Sequence, residues 1–451
     1  MNAARAELIR KYNVPGPRYT SYPTVPYWEA APSAEQWIAH LAHSLHEGAA
    51  RGTGAAVYVH IPFCRSLCTY CGCNMRVTRS RSLVAPYLAA VLEEFRMYRE
   101  RLGIAALPVG ELHLGGGTPT YLTAAELAEL VDGLLAGMAL TADASLSLEI
   151  DPRTTDIEQL QVLAQRGFRR VSLGVQDFDP RVQEIVNRVQ TEEQVGAVTR
   201  AARACNFDSV NYDLIYGLPL QTVDSIERTL DAVERLRPDR IAFYSYAHVP
   251  WIKPSQRRFT EADLPTGDAK RVLYERGRER LEHAGYGEVG VDHFALPTDS
   301  LWQAFKSGTL HRNFMGYTPM FTVPLIGLGV SAIGDAVTAF AQNEKEINQY
   351  QERVQRGELP LHRGHLLDQE DQVLRQHILN LMTRFRTDWR APATQTPFLE
   401  SVRERLEPLA RDAVVELADG SCNVTELGRA FVRNVCMAFD ARLIRHAPTT
   451  A

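Results

Sequence analysis

The sequence has little of several features that define whole classes of protein. Its 451 residues carry 49 lysines and arginines against 54 acidic residues, a formal charge of −5. A protein that binds mainly nucleic acid needs a basic excess to neutralise phosphates, so nucleic acid is not expected as a partner. No apolar run approaches the roughly 20 residues that cross a bilayer, and the N-terminus lacks the apolar core of a secretion signal. We therefore expect no membrane span and a cytoplasmic protein.

Cysteine is scarce and unevenly placed. Four of the seven cysteines lie within residues 64–73, in the stretch CRSLCTYCGCN, whereas Cys205, Cys422 and Cys436 are isolated. Cytoplasmic thiols stay reduced, and residues this close pair only with strain, so disulfides are not expected. Structural zinc sites usually combine two close ligands with a distant second pair. A zinc site built from the four clustered thiols stays open as an alternative, but an iron–sulfur cluster suits thiolate ligands better.

The first three of these cysteines have the spacing C-x3-C-x2-C. If Cys64, Cys68 and Cys71 bind three irons of a four-iron cluster, the fourth iron keeps an open coordination site. An open site distinguishes a reactive metal centre from a structural one. The spacing therefore favours a reactive cluster that binds a further ligand.

The sequence also lacks two common nucleotide-binding loops. No G-x-G-x-x-G follows the first predicted strand, and no G-x-x-x-x-G-K-[ST] occurs. Instead, short β-rich runs alternate with helical patterns, which is typical of right-handed βαβ units and a parallel sheet. The predicted strands are 55–61, 111–116, 146–151, 169–177, 209–217 and 240–246. We predict an α/β fold, an incomplete (β/α)6 barrel related to the TIM barrel.

The composition changes along the chain and indicates three parts. Residues 1–50, rich in proline and tyrosine, are predicted to form an N-terminal arm. Residues 51–365 would form the barrel and its extension. Amphipathic helical patterns from about residue 368 predict a small, mostly helical C-terminal domain over residues 366–451.

Polar residues and glycines occur where the predicted strands end. The sequence GGGTP (115–119) closes the second strand, and Glu149, Gln176 and Asp213 lie near the ends of three later strands. Ligands of parallel barrels bind at the carboxyl ends of the strands. Glycines there allow a ligand to approach the backbone, although a tight turn or a helix cap would explain any one of these features alone.

Many stretches together resemble the oxygen-independent coproporphyrinogen III oxidases, a family of the radical S-adenosylmethionine (SAM) superfamily. The resemblance runs from about residue 8 to 443, and the fourth cysteine and the arm belong to it. It rests on KYNVPGPRYTSYPT, YVHIPFCRSLCTYCGCN, LHLGGGTPTYL, EIDPR, GVQDF, VNR, DLIYGLP, YAHVP, DHFA, LHRNFMGYT, GVSAI and GRAFVRNVCMAFD. One departure is PMFTVPLIGLG (319–329), which lacks the acidic residues expected there.

The resemblance implies specific cofactors and site residues. Cys64, Cys68 and Cys71 would bind a [4Fe-4S] cluster, and Cys73 would be needed for activity without binding iron. Two molecules of SAM would share the site. Tyr58, Gly116, Glu149 and Ile333 would contact the first SAM. Tyr70, Gly117, Thr118, Gln176, Arg188, Asp213 and Ala247 would contact the second.

The resemblance also implies the reaction and the partners. Two propionates of coproporphyrinogen III would become vinyl groups, giving protoporphyrinogen IX in anaerobic heme biosynthesis. Reduced flavodoxin or ferredoxin would supply electrons, and we expect a monomer. Candidate partners for the substrate carboxylates are Arg18 and Arg312, and His248 and His311 are candidate hydrogen-bond donors.

Two other functions stay open as alternatives. A heme-binding or heme-delivery protein could use the same radical SAM scaffold, but Cys73 and the N-terminal arm argue against it. A zinc-stabilised interaction module would need neither the GGGTP loop nor the polar strand ends.

Overall fold

A twelve-stranded sheet organises most of the chain in the computed structural model, which describes residues 3–12, 14 and 16–446. In chain order its strands are β1 (Ala55–Ile61), β2 (Leu107–Gly116), β3 (Met138–Ile150), β4 (Phe168–Gln176), β5 (Ser209–Tyr216), β6 (Arg240–Ser245), β7 (Gly287–Gly290), β8 (His293–Ala295), β9 (Leu325–Leu328), β10 (Ile333–Asp335), β11 (Ala339–Asn343) and β12 (Leu361–Leu366). They lie side by side in the order β12-β11-β10-β9-β1-β2-β3-β4-β5-β6-β8-β7.

The six predicted strands form the parallel centre of this sheet. β1 to β6 are neighbours in chain order, and every pair is parallel. β2 begins at Leu107 and β3 at Met138, both earlier than the sequence pattern indicates. Residues 139–144 of β3 are mostly exposed or half-buried, so they carry no apolar signal. The α/β fold class is confirmed.

The sheet is wider than the six strands predicted. β9 pairs parallel to β1 on its other side, and β10 to β12 continue antiparallel. Beyond β6, β8 and β7 add two antiparallel strands. β9 is buried at all four positions, so it shows no alternation by which a strand is usually recognised.

Helices connect the parallel strands and cover the outside of the sheet. The described α-helices are α1 (Ala3–Tyr12), α2 (Ala34–Ala50), α3 (Val84–Leu102), α4 (Ala124–Leu135), α5 (Ile157–Gln165), α6 (Pro180–Ile185), α7 (Glu192–Ala204), α8 (Val223–Leu236), α9 (Gly267–His283), α10 (Ser300–Ser307), α11 (Ile347–Gln355), α12 (Gln369–Arg384), α13 (Leu399–Arg411), α14 (Val432–Ala438) and α15 (Ala441–Arg445). Capping boxes begin α4, α5, α7 and α8, with Thr123, Asp156, Thr191 and Thr222 as the N-caps. None of the helices that the structure describes combines the length and apolar character of a bilayer span.

The alternation along each strand separates an apolar face from a polar face. On β4, Val171, Leu173 and Val175 are buried in the main core, whereas Arg170 and Ser172 line a central cavity. β5 contributes the alternate residues Ser209, Asn211 and Asp213 to the same cavity, and β2, β3 and β6 line it as well. Strands this far apart in the order line one cavity only if the sheet curves around it, as in an incomplete barrel.

The N-terminal segment and the C-terminal helices share a second apolar core. Ile9, Tyr19 and Tyr22 pack there with residues of α12 to α14, and the Tyr19 hydroxyl donates to Asp440 at 3.0 Å. A three-stranded sheet completes this unit: Arg386–Asp388, Ser421–Val424 and Val415–Ala418. α2, inside the predicted arm, instead joins the main core through Trp37 and Leu41. The division at residues 50 and 365 stays a prediction, and the predictions for residues 1, 2, 13, 15 and 447–451 lie outside the described residues.

Candidate functional site

A cavity of about 340 Å³ lies inside the curved sheet, next to the cysteine loop, residues 64–74. Cys64, Cys68, Cys71 and Cys73 all line it. The remaining walls come from the glycine loop after β2 and from the polar faces of β3 to β6. The predicted cysteine cluster and the predicted strand ends therefore meet in one place.

The three thiols with the C-x3-C-x2-C spacing differ in their surroundings. Burial raises the pKa of the Cys64 thiol to about 11, and its sulfur lies 3.5 Å from the Thr118 hydroxyl. A hydrogen bond from Cys73 is the main reason that the pKa of Cys71 falls to about 6. Within residues 3–12, 14 and 16–446, no three His, Cys, Asp or Glu side chains converge as a single metal ion would require. The thiols line the cavity instead of meeting at one point.

Neighbouring segments fix the cysteine loop in place. The Asn187 side chain donates to the Leu67 carbonyl at 2.7 Å, and the Thr69 amide donates to the Val186 carbonyl at 3.0 Å. On the opposite side, the Lys253 ammonium donates to the Cys73 carbonyl at 3.1 Å. These bonds hold the loop against the segment after α6 and against the loop after β6.

Two guanidinium groups reach Cys68. Arg153 Nη2 and Arg188 Nη1 each lie 3.6 Å from Cys68 Sγ. Asp151 lies between them, accepting from Arg153 Nη2 at 2.7 Å and from Arg188 Nη1 at 3.2 Å. Burial alone would raise the pKa of Asp151, but the two arginines outweigh it and hold that pKa below its usual value. A negative sulfur at Cys68 would be stabilised by this arrangement.

The glycine loop leaves no room for side chains. A Cβ atom at Gly116 would lie 2.8 Å from the His60 ring, and one at Gly117 would lie 2.7 Å from the Pro62 carbonyl oxygen. Gly116 also has a φ of +115°, which side chains disfavour. The sequence therefore brings bare backbone to the cavity wall.

Glu149 connects the glycine loop to β3. Its carboxylate accepts a hydrogen bond from the Gly116 amide at 3.1 Å and lies 3.5 Å from His113 Nε2. Burial would raise the pKa of Glu149, but the bonds from His113 and Gly116 outweigh it and lower the pKa. Tyr58 stacks on the His113 ring with centroids 6.0 Å apart. Glu149 therefore presents a negative charge at the cavity wall.

The pKa of Asp213 on β5 is shifted in the direction opposite to that of Glu149. Burial, followed by the charge of Glu149, raises the pKa of Asp213 to about 7. Its oxygens accept hydrogen bonds from Ser172 and Asn211, both at 2.9 Å. Near neutral pH, Glu149 is therefore ionised, whereas Asp213 is partly protonated.

The predicted site residues separate into two groups. Tyr58, Ala247 and Ile333 do not line the cavity: Tyr58 lies behind His113, Ala247 is exposed, and Ile333 begins β10. Residues 319–329 do not line it either. Those that line it are Cys64, Cys68, Tyr70, Cys71, Cys73, Gly116, Gly117, Thr118, Glu149, Gln176, Arg188 and Asp213. Their roles stay predictions.

The candidate substrate partners are placed differently from one another. The Arg18 guanidinium is exposed, donates to the Ser245 carbonyl at 2.9 Å and lies over the Tyr244 ring. Arg312 is buried and donates to the Tyr19 and Arg18 carbonyls at 3.3 Å, so it holds the N-terminal segment. His248 bonds to the Tyr246 hydroxyl at 3.1 Å, and His311 contacts the Phe321 ring.

Sequence reasoning missed several residues of the cavity wall. His113, Asp151 and Arg153 lie on or just beyond β2 and β3, two or four positions from a predicted site residue or glycine. Ser172 and Asn211 occupy equivalent alternate positions on β4 and β5. The period of two along a strand was the signal that could have found them.

Comparisons with known proteins agree with this architecture. Residues 58–233 match the model of the Radical SAM superfamily. Oxygen-independent coproporphyrinogen III oxidase of Pseudomonas aeruginosa is 42% identical over 446 residues, covering 97% of this chain and 96% of that protein. The Escherichia coli K12 protein of the same name is 41% identical over 446 residues, covering 98% of this chain and 96% of that protein. The solved structure of coproporphyrinogen III oxidase (HemN) from Escherichia coli, described as a radical SAM enzyme, has a TM-score of 0.88 at 40% identity, covering 94% of this chain and 97% of that chain.

The radical SAM superfamily implies a [4Fe-4S] cluster and SAM, and the residues present suit both. Three thiols line one cavity, and two guanidinium groups near Cys68 would stabilise a negatively charged sulfur. The bare glycine backbone and the Glu149 carboxylate would suit the ammonium group of an amino acid. With matches along almost its whole length to enzymes of one name, the chain belongs to the family of oxygen-independent coproporphyrinogen III oxidases.

Proposed function

We propose that this chain converts two propionate side chains of coproporphyrinogen III to vinyl groups, giving protoporphyrinogen IX without oxygen. The proposal is supported above all by the full-length similarity to enzymes named for this activity, at 42% identity over 446 residues. The structural feature that agrees with it is that Cys64, Cys68 and Cys71 all line one cavity. When bound, the cluster and SAM supply the one-electron chemistry that removes a hydrogen atom from an unactivated carbon.

The chain's own residues would bind and orient these groups. Cys64, Cys68 and Cys71 would hold the cluster. Glu149, whose pKa is lowered, would be negative and would attract a cationic amino group beside the Gly116 amide. No protein base near neutral pH removes a proton from such a carbon, so the protein's part is placement of the reactants.

The same cavity would accept a second SAM molecule, as the resemblance to the family suggests. Arg188 is buried and cationic, and it would pair with the carboxylate of that molecule. Gln176, Asp213, Gly117 and Thr118 lie on the same cavity wall and would add polar contacts. Two propionates require two rounds of reaction, which is consistent with two SAM molecules.

Further parts of the proposal concern activity and partners. Cys73 lines the cavity beside Cys71 and would act in the reaction without binding iron. The tetrapyrrole has four carboxylates, and the exposed Arg18 over Tyr244 is a candidate to bind one. Reduced flavodoxin or ferredoxin would supply electrons, and we propose that the protein acts as a monomer.

Anaerobic reconstitution tests the proposal directly. The cluster is assembled on the purified protein, and SAM, dithionite and coproporphyrinogen III are added. We expect 5′-deoxyadenosine together with protoporphyrinogen IX. Deoxyadenosine without the tetrapyrrole product would show radical SAM activity on another substrate and would contradict the specific assignment.

The heme-delivery alternative is not favoured, because the relatives matched along the whole chain carry the oxidase name. It predicts stable heme binding and no turnover of coproporphyrinogen III. Titration of the reconstituted protein with heme, run beside the activity assay, separates the two functions.

A further inference from the structure

Two large apolar side chains stand in solvent beside the cysteine loop. Trp251 is 69% exposed and Ile252 is 65% exposed, the two highest values among the large hydrophobic residues that the structure describes. A single exposed apolar residue needs no explanation, but adjacent large ones next to a functional site often mark a contact surface. Tryptophan is also the residue type most enriched at the energetic centres of protein interfaces.

The turn that carries this pair is fastened to the cysteine loop. The Ile252 and Lys253 amides both donate to the Val249 carbonyl at 2.9 Å, which closes the turn. The Lys253 side chain donates to the Cys73 carbonyl, and Gln256 Nε2 donates to the Tyr70 carbonyl, both at 3.1 Å. The exposed pair is therefore held within a few residues of the proposed cluster ligand Cys71.

The segment that carries the pair and the segment around the cysteine loop are both basic in sequence. Residues 62–92 and 247–260 contain no aspartate or glutamate, although the whole chain has a formal charge of −5; Glu261 and Asp263 follow directly. Their cationic residues are Arg65, Arg76, Arg79, Arg81, Lys253, Arg257 and Arg258. Arg76, Arg257 and Arg258 are exposed. A local excess of positive charge attracts an acidic partner and increases the rate at which it associates.

We propose that Trp251 and Ile252, together with Arg76, Arg257 and Arg258, form the docking surface for an acidic one-electron carrier protein of the flavodoxin or ferredoxin kind. The inference rests on the proposed function, because that function needs an external electron. In the docked complex one electron would pass from the reduced carrier to the cluster held by the cysteine loop; the carrier would be oxidised and the cluster reduced, with no bond made or broken. The surface fits because an electron donor must approach the cluster, and this surface is attached to the loop that would hold it.

The arrangement also fits a short-lived complex. Redox encounters between proteins bury little surface, and here a small apolar pair lies in the same segment as the exposed Arg257 and Arg258. Binding that depends on these charges weakens as salt screens them. The affinity for the carrier should therefore fall steeply between low and physiological ionic strength.

The test uses the reconstituted holoenzyme and a reduced bacterial flavodoxin as the probe. A variant combining Trp251→Ala, Arg76→Glu and Arg258→Glu is compared with Arg403→Glu, which changes an exposed arginine on α13. Flavodoxin affinity is measured by calorimetry under nitrogen, and product formation is measured with flavodoxin and with dithionite. Iron content confirms that each variant carries its cluster.

We expect the triple variant to bind flavodoxin at least about 10-fold more weakly than the wild type, because an interface tryptophan is lost and two positive charges are reversed. Arg403→Glu should bind as the wild type does, and dithionite-driven turnover should be equal in all three proteins. Unchanged affinity in the triple variant would overturn the proposal. An equal loss of dithionite-driven turnover would also overturn it, since the surface would then serve the substrate. The binding measurement needs no tetrapyrrole, so a wild type that binds flavodoxin but makes no product would contradict only the proposed function.

Discussion

Arg188 Nη1 lies 3.6 Å from Cys68 Sγ, and both residues are buried. Arg153 reaches the same sulfur from the far side of Asp151, so one cysteine of the three has two cationic donors. Hydrogen bonds and positive charges at a ligand sulfur stabilise the more negative, reduced form of an iron–sulfur cluster. This asymmetry among the three thiols leads to a measurable prediction.

Arg153→Gln should lower the reduction potential of the reconstituted cluster. The variant loses a charged donor to Cys68, and the change should be on the order of 50 mV, close to a tenfold effect for one electron. Arg153→Lys keeps the positive charge but loses the second donor group of the guanidinium. Its reduction potential should lie between those of the wild type and Arg153→Gln. The potential is followed by electron paramagnetic resonance during a redox titration without SAM.

A matched control for that measurement exists elsewhere in the chain. Arg166 forms a similar forked pair with Asp132, with both bonds at 2.7 Å, on the helical surface. Arg166→Gln should leave the potential unchanged. Equal potentials in the Arg153 and Arg166 variants would show that the guanidinium near Cys68 does not tune the cluster.

The four clustered cysteines should separate into two classes by colour and turnover. Cys64→Ala, Cys68→Ala and Cys71→Ala should each lose the brown absorbance and the bound iron after reconstitution. Cys73→Ala should keep both and lose product formation. Iron and sulfide analysis, visible spectra and product chromatography provide the measurements.

Cys205→Ala is the control for this series, because Cys205 caps α7 and does not line the cavity. It should keep both the cluster and the activity. A Cys73→Ala protein without iron would identify Cys73 as a fourth ligand and would remove the open iron site on which the proposed chemistry depends.

Gly116→Ala should weaken SAM binding by at least about 10-fold. The added methyl group would meet the His60 ring at 2.8 Å, and the backbone at φ +115° disfavours any side chain. Either effect would move the Gly116 amide, which donates a hydrogen bond to the Glu149 carboxylate. Equilibrium dialysis of SAM with the reconstituted protein gives the affinity.

Gly72→Ala tests whether any added methyl group near the cysteines has the same effect. A Cβ at Gly72 meets nothing within 4 Å. This variant should bind SAM as the wild type does. If both glycine variants bind SAM normally, the loop after β2 is not the close-approach site that the geometry indicates.

How much the sequence could predict depends on whether a feature is local. The six parallel strands follow from short β-rich runs that alternate with helical patterns, and the proposed cluster ligands follow from the spacing of three cysteines. The contact between Arg153 and Cys68 joins residues 85 positions apart and has no local pattern. For Arg312, the charge suggested a substrate contact. In the structure its guanidinium donates to two backbone carbonyls of the N-terminal segment, which the sequence around it did not indicate.

Glu94, which no sequence pattern singled out, should make stability depend on pH. It is fully buried on α3 and accepts hydrogen bonds from the Gly329 amide, Asn343 and the Tyr350 hydroxyl, at 2.7–2.8 Å. Burial raises the pKa of Glu94 from 4.5 to about 7. The folded protein therefore binds a proton over a pH range in which the unfolded chain has released it.

The sign of the effect follows from this difference in bound protons. Below pH 4.5 both states are protonated, so Glu94 costs the folded state nothing through ionisation. As the pH rises toward 7, folding loses free energy, up to about 3 kcal/mol once both states are ionised. Glu94→Gln cannot ionise and escapes this loss. Relative to the wild type, its free energy of unfolding should therefore be about 2.5 kcal/mol larger, meaning a more stable protein, at pH 8 than at pH 5.

Urea unfolding at both pH values measures the difference, with the neighbouring Glu93→Gln as the control. Glu93 is half-buried, and its bond to Arg96 lowers its pKa below the usual value. Because its carboxylate is ionised in both states from pH 5 to pH 8, the Glu93→Gln difference should not change over that range. If the Glu94 and Glu93 variants both show no pH dependence relative to the wild type, Glu94 must titrate at its ordinary pKa, and its three hydrogen bonds must then offset the whole cost of burying the charge.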